Sequence, residues 1–317
     1  PWLGGRRPNS FSVSGYISEQ NNAYYVWQNA TMYYRSMGLA IGLGKRLQWP
    51  DPYFTFYGEL GYQHYGLKGW NSFIMSNGKS NTLSLKLVLQ RSSVDSPFFS
   101  RSGSEFTLSV QATPPFSLWD GKDYAALKAA NTPEAQQEMY RWIEFHKWLL
   151  KTRWYFPLTQ DQNLVLMLGA EMGYLGNYNK NKVSPFERFE IGGDGMTGYN
   201  IYGVDIIAMR GYEDGALDPS SYYSVAYNKY TVELRYPVIM KPSSSIYVLG
   251  FLEGGNGFNS WKEFSPFKIK RSAGVGVRLY LPIVGMIGVD WGYGFDPAYG
   301  KTERSGSQFH FVLGQQF

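Results

Sequence analysis

The stretch "RSAGVGVRLYLPIVGMIGVDWGYGFD", residues 271–296, reads as two strands around a tight turn. In its first half Ala273, Val275, Val277, Leu279 and Leu281 share one face, and Ser272, Gly274, Gly276, Arg278 and Tyr280 share the other. In its second half Ile287, Val289, Trp291, Tyr293 and Phe295 stand opposite Gly288, Asp290, Gly292 and Gly294. Alternation with one fully apolar face is the pattern of a half-buried β-strand. It recurs in "HKWLLKTRWYF" (146–156), where Trp148, Leu150, Thr152, Trp154 and Phe156 oppose Lys147, Leu149, Lys151 and Arg153. In "KYTVELRYP" (229–237), Tyr230, Val232, Leu234 and Tyr236 oppose Lys229, Thr231, Glu233 and Arg235.

A soluble sandwich and a membrane barrel both produce this alternation, and composition separates them. Aromatics make up 18% of the 317 residues, while charged residues, at 17%, fall below the ~25% of soluble domains. Mean hydropathy is −0.33. No apolar run approaches the ~20 residues of a spanning helix. Strands of about 10–16 residues exceed the ~5–6 usual in soluble sheets. The pattern therefore predicts an all-β, transmembrane antiparallel β-barrel, with its apolar face in lipid, its polar face on a wet lumen and aromatics at both interfaces.

Twelve segments fit: 9–20, 31–47, 53–68, 81–92, 104–118, 140–157, 163–178, 222–238, 245–258, 267–281, 284–296 and 307–317. Their connections alternate between short ones, such as "WPDP", "LTQDQ" and "IVG", and long ones at 69–80, 119–139, 179–221 and 259–266. Short periplasmic turns and long outer loops are the bacterial outer-membrane arrangement. The Ala- and Gln-rich stretch inside 119–142 suggests a short helix. The last segment, "QFHFVLGQQF", carries Phe309, Phe311, Leu313 and Phe317 on one stripe and ends on an aromatic.

No signal-like apolar segment opens the chain. The absence of cysteine leaves no disulfide or zinc framework. The formal charge of +5 is spread along the strands, so no nucleic-acid partner is expected. His64, His146 and His310 are the three histidines, and no nucleophile has a matching context; Asp290 and His310 read better as a lumen charge network than as half a catalytic dyad. "GGDGMTG" is neither a phosphate loop nor a dinucleotide fingerprint. The expectation is a protein without enzyme activity, metal or cofactor.

The longest irregular segment, 179–221, holds "ERFEIGGDG" and then "MRGYEDGALDP". Glu187, Arg188, Phe189, Gly192 and Gly193, followed by Met209, Arg210, Gly211 and Tyr212, resemble the long loop between strands eleven and twelve of BamA-type outer-membrane assembly factors, in the forms associated with Bacteroidota. The stretch between Gly193 and Met209 is longer than in many members. "GFLEGGNGF", the 271–296 pair and "FVLGQQF" resemble the strands that follow, and "PFFSRSGSEFTLSV" and "PWLGGRRPNSFSVSGYIS" resemble earlier turns. The resemblance runs through essentially all of 1–317. It implies that the twelve strands are strands 5–16 of a sixteen-stranded barrel, with four strands and the periplasmic POTRA domains preceding Pro1.

The resemblance also implies roles. The 179–221 loop folds back into the lumen, and Arg210 contacts acids on the inner wall. Candidate partners are Glu253 and Asp290. Alternation alone turns Asp290 away from the apolar stripe of its strand, because the reverse register would place its charge in lipid. Arginine suits the task because its planar fork grips carboxylates bidentately and keeps its charge. The implied function is insertion and folding of nascent outer-membrane proteins through a lateral gate at the last strand, with Gly314 as its kink and Phe317 at its end. Partners would be those nascent chains, accessory subunits of an assembly complex and the lipid bilayer. The alternatives are a passive channel and a two-partner-secretion-type translocation pore, in which Lys147, Lys151, Arg153, Lys229, Arg235 and Arg278 would favour anions.

Overall fold

The computed structural model describes residues 9–22, 32–70, 75–196, 203–219, 223–241, 244–282 and 285–314. The early strands are β1 (Asn9–Asn21), β2 (Tyr33–Arg46), β3 (Phe54–Lys68), β4 (Gly78–Ser92), β5 (Gly103–Ala112), β6 (His146–Pro157) and β7 (Val165–Gly176). Two short strands follow, β8 (Phe189–Ile191) and β9 (Asp205–Ile207). The late strands are β10 (Ala226–Lys241), β11 (Ser244–Phe258), β12 (Lys270–Leu281), β13 (Gly285–Pro297) and β14 (Arg304–Leu313). Among the described residues, all but β8 and β9 join one twelve-stranded sheet in chain order, with β1 and β14 at its two ends.

Each of the twelve expected segments overlaps one of these strands. Two boundaries differ by six residues and the others by four or fewer. The 104–118 segment stops at Ala112, because Pro114 and Pro115 cannot donate to a ladder. The 140–157 segment starts only at His146. Between them lie a 3-10 turn (Phe116–Leu118) and two helices, α1 (Tyr124–Ala130) and α2 (Pro133–Met139), where the sequence suggested one. Asp123 caps α1 by accepting from the amides of Ala125 and Ala126 at 2.9 and 3.0 Å. Thr132 caps α2 through the Ala135 amide at 3.2 Å, ahead of Pro133. Both are the side chains that satisfy orphan amides at a helix start. The opening residues 1–8, read as a turn, lie outside the described residues.

The faces sort as alternation requires. Val275, Val277, Val289, Trp291, Phe309 and Phe311 are exposed, whereas Ser272, Arg278, Asp290 and His310 on the same strands are buried. The β12–β13 register sets Val275 beside Trp291 and Gly276 beside Asp290. At ~3.3 Å per residue, strands this long can cross a ~30 Å hydrocarbon layer even when tilted.

The chain forms two compact units. In the unit of 90–107, 149–174 and 188–317, an apolar cluster sits on the polar face. Phe99, from the turn between β4 and β5, is fully buried against Tyr155, Val165, Met167, Tyr247, Leu249 and Phe251. That turn is tied by Asp95, which accepts from the Arg101 and Ser102 amides at 2.8 and 3.2 Å.

In the unit of 1–89, 108–148 and 175–187, a buried carboxylate organises the connection between β5 and β6. Glu144 accepts from the Ser117 amide at 2.8 Å and from the Ser117 hydroxyl, and pairs with Lys182 at 3.4 Å. Lys182 also donates to the Tyr124 hydroxyl at 3.3 Å. Both charged side chains are almost wholly out of solvent. Breaking such a pair from one side costs about 3–5 kcal/mol; the retained Ser117 bonds put this case at the low end. Lys182→Met should therefore speed amide exchange around residues 116–118 and 177–183 while leaving β2 and β3 protected. Unchanged exchange there would remove Glu144 as the fastener.

Candidate functional site

The site begins with the frame that aims Arg210. Strands β8 and β9 pair in parallel, Phe189 against Asp205 and Ile191 against Ile207. Beyond them the chain closes on itself. The Gly192 amide donates to the Ile207 carbonyl at 3.1 Å, the Met209 amide to the Gly193 carbonyl at 3.0 Å, and the Gly193 amide to the Tyr212 carbonyl at 3.0 Å. Gly192 has φ +141 and a Cβ there would lie 2.1 Å from the Glu213 carbonyl oxygen, so this crossing excludes any side chain. Met209 and Tyr212 are fully buried, and the Tyr212 hydroxyl donates to the Arg271 carbonyl at 2.8 Å.

Arg210 lies between these two anchors and is 8% exposed. Its backbone amide donates to Glu253 Oε2 at 2.9 Å, and its Nη2 donates to Glu253 Oε1 at 2.7 Å and to Glu233 Oε1 at 2.6 Å. Its Nη1 reaches Asp290 Oδ2 at 3.4 Å. The guanidinium carbon stands 3.7 Å over the Phe251 ring, close enough for a cation–π contribution. Three strands, β10, β11 and β13, thus each present one carboxylate to a single cation.

Further cations complete the network. Arg235 Nε donates to Glu233 Oε2 at 2.8 Å, Lys229 lies 3.4 Å from Glu253 Oε1, and Arg278 grips Asp290 with two bonds of 2.6 and 2.7 Å. Lys229 also donates to the Ala208 carbonyl at 2.6 Å, binding the loop directly. Buried charges persist only when paired and hydrogen-bonded in this way.

Gly211 makes the tightest approach. With φ +86, its missing Cβ would fall 2.8 Å from Ser272 Cβ and 3.0 Å from the Gly294 nitrogen. A Cβ on Gly292 would meet the Gly211 nitrogen at 2.8 Å, and one on Gly294 the Gly211 oxygen at 2.4 Å. The glycine face of β13 is therefore a groove in which the loop backbone lies. The Gly211 amide donates to His310 Nε2 on β14 at 2.8 Å, so that nitrogen carries no proton and the ring is neutral.

The structure thus brings together Gly192, Gly193, Met209, Arg210, Gly211, Tyr212, Glu253 and Asp290. Gly314, which follows β14, lines the cavity beside Arg210 but bonds Met286 rather than the loop, and Phe317 lies outside the described residues. Glu187 pairs with Lys147 at 3.0 Å, and Phe189 packs edge-on against Tyr227 at 4.9 Å. Sequence reasoning missed Glu233 as a partner of Arg210. Its position opposite Val232 and Leu234 on an alternating strand was the signal that could have found it. The docking role of Gly292 and Gly294 was also missed, although their shared face with Asp290 was readable.

One acid in the loop carries an unusual proton affinity. Asp218 is buried, and this desolvation, with Glu190 nearby, pushes its carboxyl up to about 8 despite bonds from the Ser224 hydroxyl and the Ile191 amide.

An alternating sheet with an apolar exposed face, and a loop clipped to acids on its other face, defines a strand-built protein of the bacterial outer membrane. Residues 1–317 match the Omp85 superfamily domain, and the chain belongs to that family. Over 69 residues it is 41% identical to the outer membrane protein assembly factor BamA of Neisseria meningitidis serogroup B, a match covering 22% of this chain and 7% of that protein. Among solved structures it resembles BamA from Haemophilus ducreyi lacking POTRA domains 1–3, with a TM-score of 0.66 at 17% identity, over 98% of this chain and 59% of that one. It also resembles CdiB from Escherichia coli, with a TM-score of 0.50 at 13% identity, over 96% and 49%. The chain thus spans less than two thirds of each relative.

Reversing the central charge tests the anchor. Arg210→Glu should abolish most of the heat-modifiable folded species, since uncompensated buried carboxylates cost about 3–5 kcal/mol or more. Adding Glu253→Lys should recover part of it, giving a coupling of about 0.5–3 kcal/mol. Normal folding of Arg210→Glu alone would rule the anchor out.

The loop should also answer to pH. An acid whose folded pKa is raised contributes stability that is complete below its unfolded value of 3.8 and is lost as pH rises through about 8. Proteolysis of the 203–219 segment should be faster at pH 9 than at pH 6 in the native protein, and this difference should shrink in Asp218→Asn. Equal pH dependence in both would refute the assignment.

Proposed function

We propose that the chain is the membrane-embedded part of an outer-membrane β-barrel insertase, a non-enzymatic machine that folds and inserts nascent outer-membrane proteins. On this reading the twelve strands are strands five to sixteen of a sixteen-stranded wall, and 179–221 is the loop held in its lumen. Its partners are the incoming chains, accessory subunits of an assembly complex and the bilayer. The BamA relatives support the reading at the level of family and fold.

The observation that carries it is the match of residues 1–317 to the Omp85 superfamily domain together with a fold like that of BamA. A chain entering hydrocarbon cannot leave backbone groups unpaired, at several kcal/mol each. An unpaired sheet edge is a template on which an incoming strand can add. Just past β14, Gly314 has φ +80, and its amide donates to the Met286 carbonyl at 2.7 Å. Among the described residues no atom lies within 4 Å of where its Cβ would stand. Backbone conformation rather than crowding therefore calls for glycine there.

An anion channel is less well supported. The cavity of about 320 Å³ beside Arg210 is lined by cations that already face acids. Arg153 stands 3.7 Å from Glu171, and Lys229, Arg235 and Arg278 are paired as described above.

The test is reconstitution of the full protein in liposomes with an unfolded model barrel. Assembly of the substrate is expected. A disulfide staple between β14 and the barrel's first strand should block it, and Gly314→Val should slow it without loss of the folded insertase. A large stable pore with no assembly activity would replace this reading with a channel or a two-partner-secretion-type pore.

A further inference from the structure

The outward face of β10–β14 bears a groove of about 590 Å³. Its floor is apolar, built from Val232, Leu252, Ile269 and Phe295, and two arginines, Arg271 and Arg304, line it as well. The groove lies at the strand ends away from Lys241, Ser244, Leu281 and Gly285. That end carries the longer connections 259–269 and 298–303. Long connections face outward in bacterial barrels, so the groove sits at the headgroup level of the outer leaflet.

The two arginines differ. Arg271 is gripped by Asp296 through Nε at 3.1 Å and Nη2 at 3.0 Å. Arg304, also exposed, has no ion pair and no side-chain hydrogen bond among the described residues. Glu253 also lines the groove but is engaged by Arg210 and Lys229, so among the described residues no acid pairs with the Arg304 cation, while the surface beside it is hydrocarbon-like. A ligand that satisfies both must join an anionic head to an apolar tail. Arginine's fork fits the oxygens of a phosphate bidentately, and basic side chains at membrane level recruit anionic headgroups. An ordinary aromatic belt explains Phe295 but not an unpaired guanidinium beside an apolar trough.

We propose that this groove is a binding site for a phosphate-bearing lipid. An acyl chain lies along Val232, Leu252, Ile269 and Phe295, and the phosphate rests on Arg304 with Arg271 beside it. The site is independent of the insertase reading, because it needs only that this face meets lipid.

The experiment is native mass spectrometry of the full-length protein, delipidated and then titrated with phosphatidic acid. Diacylglycerol, which has the chains without the phosphate, and inorganic phosphate serve as the other arms. Phosphatidic acid should be retained, and both controls should bind far more weakly. Arg304→Ser should weaken retention about fivefold, and Arg304→Lys should restore most of it. Val232→Trp, which fills the groove without altering charge, should weaken it too. Heat-modifiable mobility confirms that each variant is folded. Retention equal to the native protein in both Arg304→Ser and Val232→Trp would overturn the proposal. Diacylglycerol binding as well as phosphatidic acid would reduce the groove to a non-selective apolar surface. Displacement of the lipid by equimolar inorganic phosphate would make it a site for a free anion.

Discussion

One guanidinium fixes the relation between the long loop and the sheet. Glu233, Glu253 and Asp290 come from β10, β11 and β13, three strands that do not depend on one another's sequence. Their three charges converge on one point of the polar face, where a central cation offsets their mutual repulsion. Arg235, Lys229 and Arg278 each balance one acid from the wall itself, so Arg210 is the member that belongs to the loop. Its backbone amide and its side chain both bond Glu253, which sets the loop's position and not merely the arginine's rotamer. Phe251 beneath the guanidinium plane keeps water from one side and strengthens the electrostatics on the other.

That contact is possible only because the wall is bare where the loop lies down. On β13 the neighbours of Asp290 on its own face are Gly288 and Gly292, with Gly294 next beyond. Gly288 leaves room for the Arg278 guanidinium, whose Nη1 would lie 2.8 Å from a Cβ there. Gly292 and Gly294 receive the backbone of Gly211. Alternation thus does two things at once. One face of β13 carries Val289, Trp291 and Phe295 for lipid, and the other carries an acid set in a glycine trough. A single Cβ in the trough would push Gly211 outward and lengthen every bond that Arg210 makes.

The strands and their faces were legible because lipid imposes a strict two-residue period on long segments. The face of Asp290 followed from the cost of the opposite choice. What was not legible has physical causes too. Glu233 lies beside Arg235 in the sequence, and a local pair looks complete until a loop from elsewhere adds a second cation. The proline pair at 114–115 ended β5 earlier than hydrophobicity alone suggested. Phe99 sits in a turn, where an apolar residue has no period to reveal that it folds back onto Tyr247. The Glu144–Lys182 pair joins two irregular segments 38 positions apart, and no local pattern encodes such a meeting.

The loop's hold on the sheet is uneven, and the unevenness falls at β14. Strands β10, β11 and β13 meet Arg210 through carboxylates, and parting any of them breaks a buried charged contact at about 3–5 kcal/mol. Strand β14 meets the loop through His310, whose neutral ring accepts one amide proton from Gly211, an interaction worth about 1 kcal/mol net. Its ladder with β13 runs from Ile287 opposite Leu313 to Gly294 opposite Gly306 and then shifts register. On the insertase reading this is the required order of strengths. The strand that must separate meets the loop through a neutral bond, and the strands that must stay meet it through charge.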